Sequence, residues 1–260
     1  MVGYASEANL RAKVTGMDSK RNHAAKIKAW SVHIFTATGM VVGFKALERA
    51  FAGDVYHTIV LLLITVLIDS VDGTLARRFK VKEVLPTMDG RMIDFVVDYV
   101  NFVITPVVIF YKMQMVPGPL LLPSVAGILY ASLYHYGNTA QVTSDFRFKG
   151  FPAFWNIVIY YLFILDLGAW PNFAITLLVI LLHFLPVHFI YLSRMQRNKL
   201  AGIVAVIWLI LVNIVILVKY PAVGTALKIA AAVPFLFLAA LGSIERELLP
   251  FSSLRSRKTT

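Results

Sequence analysis

Cysteine is missing from all 260 residues, which excludes disulfides, thiolate metal sites and a cysteine nucleophile. Charge is sparse too: charged residues make up 15% of the chain, and only 14 of them are acidic. So little charge beside 58% hydrophobic residues and a mean hydropathy of +0.73 excludes an ordinary soluble domain. Internal repeats and low-complexity tracts are lacking. The first 28 or so residues have no apolar core followed by a cleavage site, which argues against a signal peptide. The formal net charge of +11 does not point to nucleic acid, because Lys and Arg sit in short loops and at the chain ends. There they meet anionic lipid headgroups and set membrane topology.

What is present is a series of apolar runs, several reaching the roughly 20 residues that cross a bilayer. The expected fold is an all-α polytopic membrane protein with about eight transmembrane helices, near 29–47, 55–76, 88–112, 118–137, 153–168, 172–193, 200–219 and 223–244. Pro117-Gly118-Pro119, Gly150 to Pro152, Gly168 to Pro171, and Pro221 punctuate the connections. Residues 1–28 form a polar, basic segment expected at the cytoplasmic leaflet. Residues 29–245 form the transmembrane catalytic domain, and 246–260 a basic cytoplasmic tail. With both termini inside, 20 of the 25 Lys and Arg residues are cytoplasmic and five are not, which supports an even number of spans.

The acids are concentrated in one stretch, DSVDGTLARRFKVKEVLPTMDGRMIDFVVD, from Asp69 to Asp98. Asp69 and Asp72 share a helix face with Ala76, and Gly90, Asp94 and Asp98 form a second stripe at intervals of four. Each aspartate at the centre of a membrane helix costs roughly 2.5–3.5 kcal/mol, so four deep ones cost on the order of 10 kcal/mol without counter-charge. A pair of hard divalent cations balances them, and oxygen-only ligands favour Mg2+, Mn2+ or Ca2+ over zinc. Gly73 lets a phosphate or sugar approach the backbone, and Arg77 offers a planar fork suited to phosphate. Asp89 is placed to cap the helix that begins after Pro86.

These residues carry a resemblance. Asp69-x2-Asp72-Gly73-x2-Ala76-Arg77, a twelve-residue gap, then Gly90-x3-Asp94-x3-Asp98, resembles the signature of the CDP-alcohol phosphotransferases. The long gap, with the flanks AWSVHIFTATG and FRFKGFPAFWN, is similar to the branch that condenses CDP-diacylglycerol with choline. The resemblance implies metal ligation by Asp69, Asp72, Asp94 and Asp98 with Mn2+ or Mg2+, two ions in number. It implies that Asp98 also accepts the proton of the attacking hydroxyl. CDP-lipid contacts are implied for Asp72, Gly73, Ala76, Arg77, Gly90, Thr36 and Thr38. It further implies a homodimer among membrane lipids in a bacterial inner membrane.

Choline has a quaternary ammonium that donates no hydrogen bond, so aromatic faces near a carboxylate suit it. Tyr99, Tyr134 and Trp155 are the candidates, with Tyr130 and Tyr136 also at hand. The loop SDFRFKG offers Asp145, Arg147 and Lys149 to a lipid phosphate, while His33, His135, His183 and His188 read as interfacial or packed. Two alternatives stand beside this reading. Serine, inositol or glycerol 3-phosphate would replace choline on the same fold. An ion-coupled transporter would use intramembrane acids differently, but would distribute them along a path rather than gather them at one face.

Overall fold

The structure is a computed structural model that describes residues 3–138, 147–185, 188–190 and 199–231. Among them, three helices are long and apolar enough to cross a membrane: Asn22–Phe51, Val55–Arg78 and Gly90–Lys112. The chain divides into two compact units, Met1–Arg49 with His57–Asn101, and Ala50–Tyr56 with Phe102–Thr260.

The first unit holds helix α1 (Gly3–Phe51), α2 (Val55–Arg78), the single turn α3 (Val81–Val84) and α4 (Gly90–Asp98). The basic N-terminal segment and the first span are therefore one continuous helix. Its buried face repeats at helical spacing through Ala29, Val32, His33, Thr36, Gly39, Gly43 and Ala46. After Arg78 the chain must turn sharply, and Lys80 adopts a left-handed conformation (φ 51°) to end α2. Val81 and Leu85 then pack with Ala29 and Val32, with Leu75, Ala76, Phe79 and Met88 around them. As expected, Asp89 caps α4: its Oδ1 accepts from the N–H groups of Arg91 at 3.0 Å and Met92 at 3.2 Å. Beyond Asp98 the helix widens into a π-helix, Tyr99–Ile104, before α5 (Thr105–Lys112).

The second unit contains α6 (Gly118–Gly137), strand β1 (Arg147–Lys149), α7 (Trp155–Leu165), α8 (Ala169–Leu182), strand β2 (His188–Ile190) and α9 (Lys199–Lys219). Its helices pack around Phe102, Phe110, Ile128, Trp155 and Ile159, all buried. β1 and β2 pair antiparallel, Phe148 opposite Phe189.

Helices thus carry the fold, and among the described residues three of about eight expected spans are long and apolar enough to cross a membrane. The span expected over 153–168 is helical only across Trp155–Leu165, where Asp166 (φ 49°) and Gly168 (φ 91°) break it. The one expected over 172–193 becomes Ala169–Leu182 followed by β2. It stops ahead of Pro186, which can neither donate an i→i−4 bond nor tolerate a helical neighbour before it. The eighth expected span from residue 232 onward, the tail 246–260 and Asp145 lie outside the described residues.

Candidate active site

The site lies wholly in the first unit, where α2 supplies Asp69 and Asp72 and α4 supplies Asp94 and Asp98. One carboxylate oxygen from each of Asp69, Asp94 and Asp98 lies within 4.8 Å of the others. Oxygens bound to one divalent cation at about 2.1–2.5 Å are at most about 5 Å apart, so the three could hold a hard cation. Among the described residues no Lys or Arg forms an ion pair with them, whereas Lys45 pairs with Glu48 and Lys80 with Glu83 elsewhere in the unit.

Asp72 stands beside this trio rather than in it. It is buried, and its charge acts on the other three aspartates. The Thr36 hydroxyl and the backbone N–H of Gly73 lie beside its carboxylate. The Thr36 hydroxyl donates to the Val32 carbonyl at 3.3 Å.

The remaining candidates divide. Arg77 is exposed and folds back along Gly73: its Nη2 donates to Thr74 Oγ1 at 3.1 Å, and a Cβ on Gly73 would sit 3.5 Å from its Nη1. The guanidinium therefore borders the open side of the residue after Asp72. Ala76 packs against the apolar cluster beneath α1. Thr38 lies on the exposed face of α1 and spends its hydroxyl on the Phe35 carbonyl at 2.6 Å. Tyr99 follows Asp98 directly and is half-buried. Tyr134 and Trp155 belong to the second unit. There Tyr134 is exposed and packs on Phe184, while Trp155 has no exposed surface.

Two residues of the site carried no role in the sequence reading. His33 is buried, and its Nε2 has no hydrogen-bond partner. Gly90 makes room for the ring, since a Cβ there would lie 3.0 Å from His33 Cε1. Asn101 is the other; it stands three residues beyond Asp98 in an otherwise apolar run, which does not by itself single it out. The pair Gly39 and Gly43 facing it forms a GxxxG spacing on α1.

Helical spans that gather acids into a hard-cation donor set define a class, the membrane enzymes and carriers that bind divalent ions within apolar helices. Comparison with known proteins narrows it. The phosphatidylcholine synthase of Legionella pneumophila is 40% identical over 169 residues, covering 65% of this chain and 66% of that protein. That of Borreliella burgdorferi is 34% identical over 215 residues, covering 83% and 92%. That of Mesorhizobium japonicum is 31% identical over 230 residues, covering 84% and 86%. No family model matches. The chain belongs to the bacterial phosphatidylcholine synthase branch of the CDP-alcohol phosphotransferase family.

Proposed function

We propose that this membrane protein transfers the phosphatidyl group of CDP-diacylglycerol to choline and releases CMP. The observation that carries the reading is the convergence of Asp69, Asp94 and Asp98 in a chain similar over most of its length to phosphatidylcholine synthases.

Asp69, Asp94 and Asp98, with Asp72 alongside, would hold the divalent cations, Mn2+ or Mg2+ and two in number. Such ions, when bound, neutralise phosphate charge and favour in-line displacement. Everything else falls to the chain's own groups. Arg77 binds a phosphate oxygen of the CDP-lipid, and Gly73 leaves its backbone open to that group. The Thr36 hydroxyl turns from the Val32 carbonyl to the Asp72 carboxylate. Gly90, Ala76 and Thr38 border the CDP-lipid less directly. The choline oxygen attacks the lipid-side phosphorus as the bond from that phosphorus to the CMP oxygen breaks, and Asp98 takes the hydroxyl proton. Tyr99, next to Asp98, offers an aromatic face to the quaternary ammonium; Tyr134 and Trp155 are the alternatives.

The charge distribution supports an inner-membrane orientation with the Asp stretch and both termini at the cytoplasmic face, where CDP-lipid and choline are met. A homodimer belongs to the same reading, and cross-linking in native membranes tests it.

Purified protein given CDP-diacylglycerol and Mn2+, with choline, serine, inositol or glycerol 3-phosphate in turn, is the decisive assay. CMP release with choline alone is the expected result. Release with another alcohol overturns the acceptor, and release with none overturns the transferase.

A further inference from the structure

The Asn101 side chain is only 1% exposed, although it lies in the apolar run that follows Asp98. Its Nδ2 donates to the backbone carbonyl of Gly39 on α1 at 3.2 Å, across 62 residues of sequence. Its Oδ1 is buried without a hydrogen-bond partner. The amide occupies the space that a side chain on Gly43 would fill, since a Cβ there would overlap Asn101 Oδ1. One turn earlier on α1, a Cβ on Gly39 would press on Val97 Cγ1 at 3.3 Å. The two glycines form a notch that the side chains of Val97 and Asn101 fill.

Packing alone does not account for this choice. A buried amide that satisfies only one of its two ends costs free energy that an apolar side chain would not. What an amide adds is register, because only one rotation and one height along α1 bring its donor to the Gly39 carbonyl. The residue lies in the π-helix, whose wider turn is an uncommon geometry that recurs at functional sites. It lies three positions from Asp98 and seven from Asp94, on their side of the helix. The same α1 carries Thr36, which lies beside Asp72, so both acid-bearing helices border one rail.

We propose that Asn101, seated in the Gly39–Gly43 notch, is a positioning residue that fixes the rotation of α4 so that Asp94 and Asp98 meet Asp69 at cation-binding distance. This rests on the divalent-cation reading of that site. Asn101 touches neither substrate nor ion; it acts through the helix.

The test is Mn2+ binding to the purified full chain, followed by the electron paramagnetic resonance signal of free Mn2+, together with thermal melting in chelator and the Mn2+ dependence of CMP release. Asn101→Leu keeps the branched shape and removes the amide. Its expected signature is Mn2+ half-saturation raised at least about tenfold with the melting temperature in chelator unchanged, in line with the usual effect of losing a group that orients metal ligands. Gly43→Ala pushes the amide out and should do the same, and the double variant Gly43→Ala, Asn101→Ala should lose no more Mn2+ affinity than Gly43→Ala alone, because both changes remove one contact. Wild-type Mn2+ affinity in Asn101→Leu overturns the clamp while leaving the site intact. So does affinity lost only in step with melting, or losses that add in the double variant. Failure of the unmodified protein to bind Mn2+ overturns clamp and site together.

Discussion

Each of the two units buries a polar cluster, and the clusters behave oppositely. In the first, Asp69, Asp94 and Asp98 bring three acceptors together with no donor between them. In the second, Trp155 stacks on His183 at 5.6 Å with the rings 9° from parallel, and Phe151 closes on His183 at 5.3 Å. His183 Nδ1 donates to the Val179 carbonyl at 2.8 Å, which fixes the neutral tautomer with Nε2 unprotonated. The loop before α7 docks there as well, the N–H of Phe151 donating to the Leu182 carbonyl at 3.0 Å. One cluster gathers like groups that could share a cation; the other is held by its own ring contacts. Burial of polar groups by itself therefore does not mark a site. Convergence of like groups does.

Substitutions should separate the two. Asp94→Asn gives the largest effect. Losing a ligand that supports several kcal/mol of transition-state stabilisation should lower CMP release at least about 1,000-fold. Melting in chelator should stay the same or rise, because a repulsive charge has gone. Retained turnover would refute the metal assignment. In the second cluster the outcome inverts. Trp155→Ala removes a fully buried ring and should destabilise the protein by about 3–5 kcal/mol in thermal or denaturant unfolding. The choline KM of the surviving folded protein should remain at its wild-type value, whereas Tyr99→Ala should raise it. A Trp155 variant that melts normally but loses choline affinity would return Trp155 to the choline pocket.

Ligand linkage sharpens the contrast. Mn2+ at about 100 times its dissociation constant should stabilise the protein by about 2.7 kcal/mol, seen as a raised melting temperature. Asp94→Asn should abolish that increment, and Trp155→Phe should leave it intact. An equal rise in all three proteins would mean that the ion binds elsewhere.

How legible this was in the sequence follows from the range of the forces. The carboxylate stretch was readable because i, i+3 and i+4 spacing on a helix is local, and the Asp89 cap because capping involves neighbours. Span ends at Gly168 and Pro186 were harder: an apolar run says that a segment is buried, not that it is helical throughout. Asn101 was invisible because its partners stand on α1, 62 residues away. An isolated asparagine between valine and phenylalanine gives no sign of what it faces.

The smallest predicted effect tests the finest distinction, between two threonines that the sequence treats alike. Thr36 and Thr38 are two residues apart, about 200° around α1, so they cannot share a face. Thr36 is buried beside Asp72, whereas Thr38 is exposed and bonded to its own helix. Thr36→Val keeps the shape and removes the hydroxyl from beside a buried carboxylate. A hydroxyl that turns from the Val32 carbonyl to the charged group contributes about 1.5–3 kcal/mol, so CMP release should fall at least about tenfold. Thr38→Val removes a bond that the helix does not need and should change the rate less than about twofold. Equal losses would mean that both hydroxyls meet the nucleotide. A silent Thr36→Val would mean that the hydroxyl stays on the Val32 carbonyl, leaving α1 to position only one of the two acid-bearing helices.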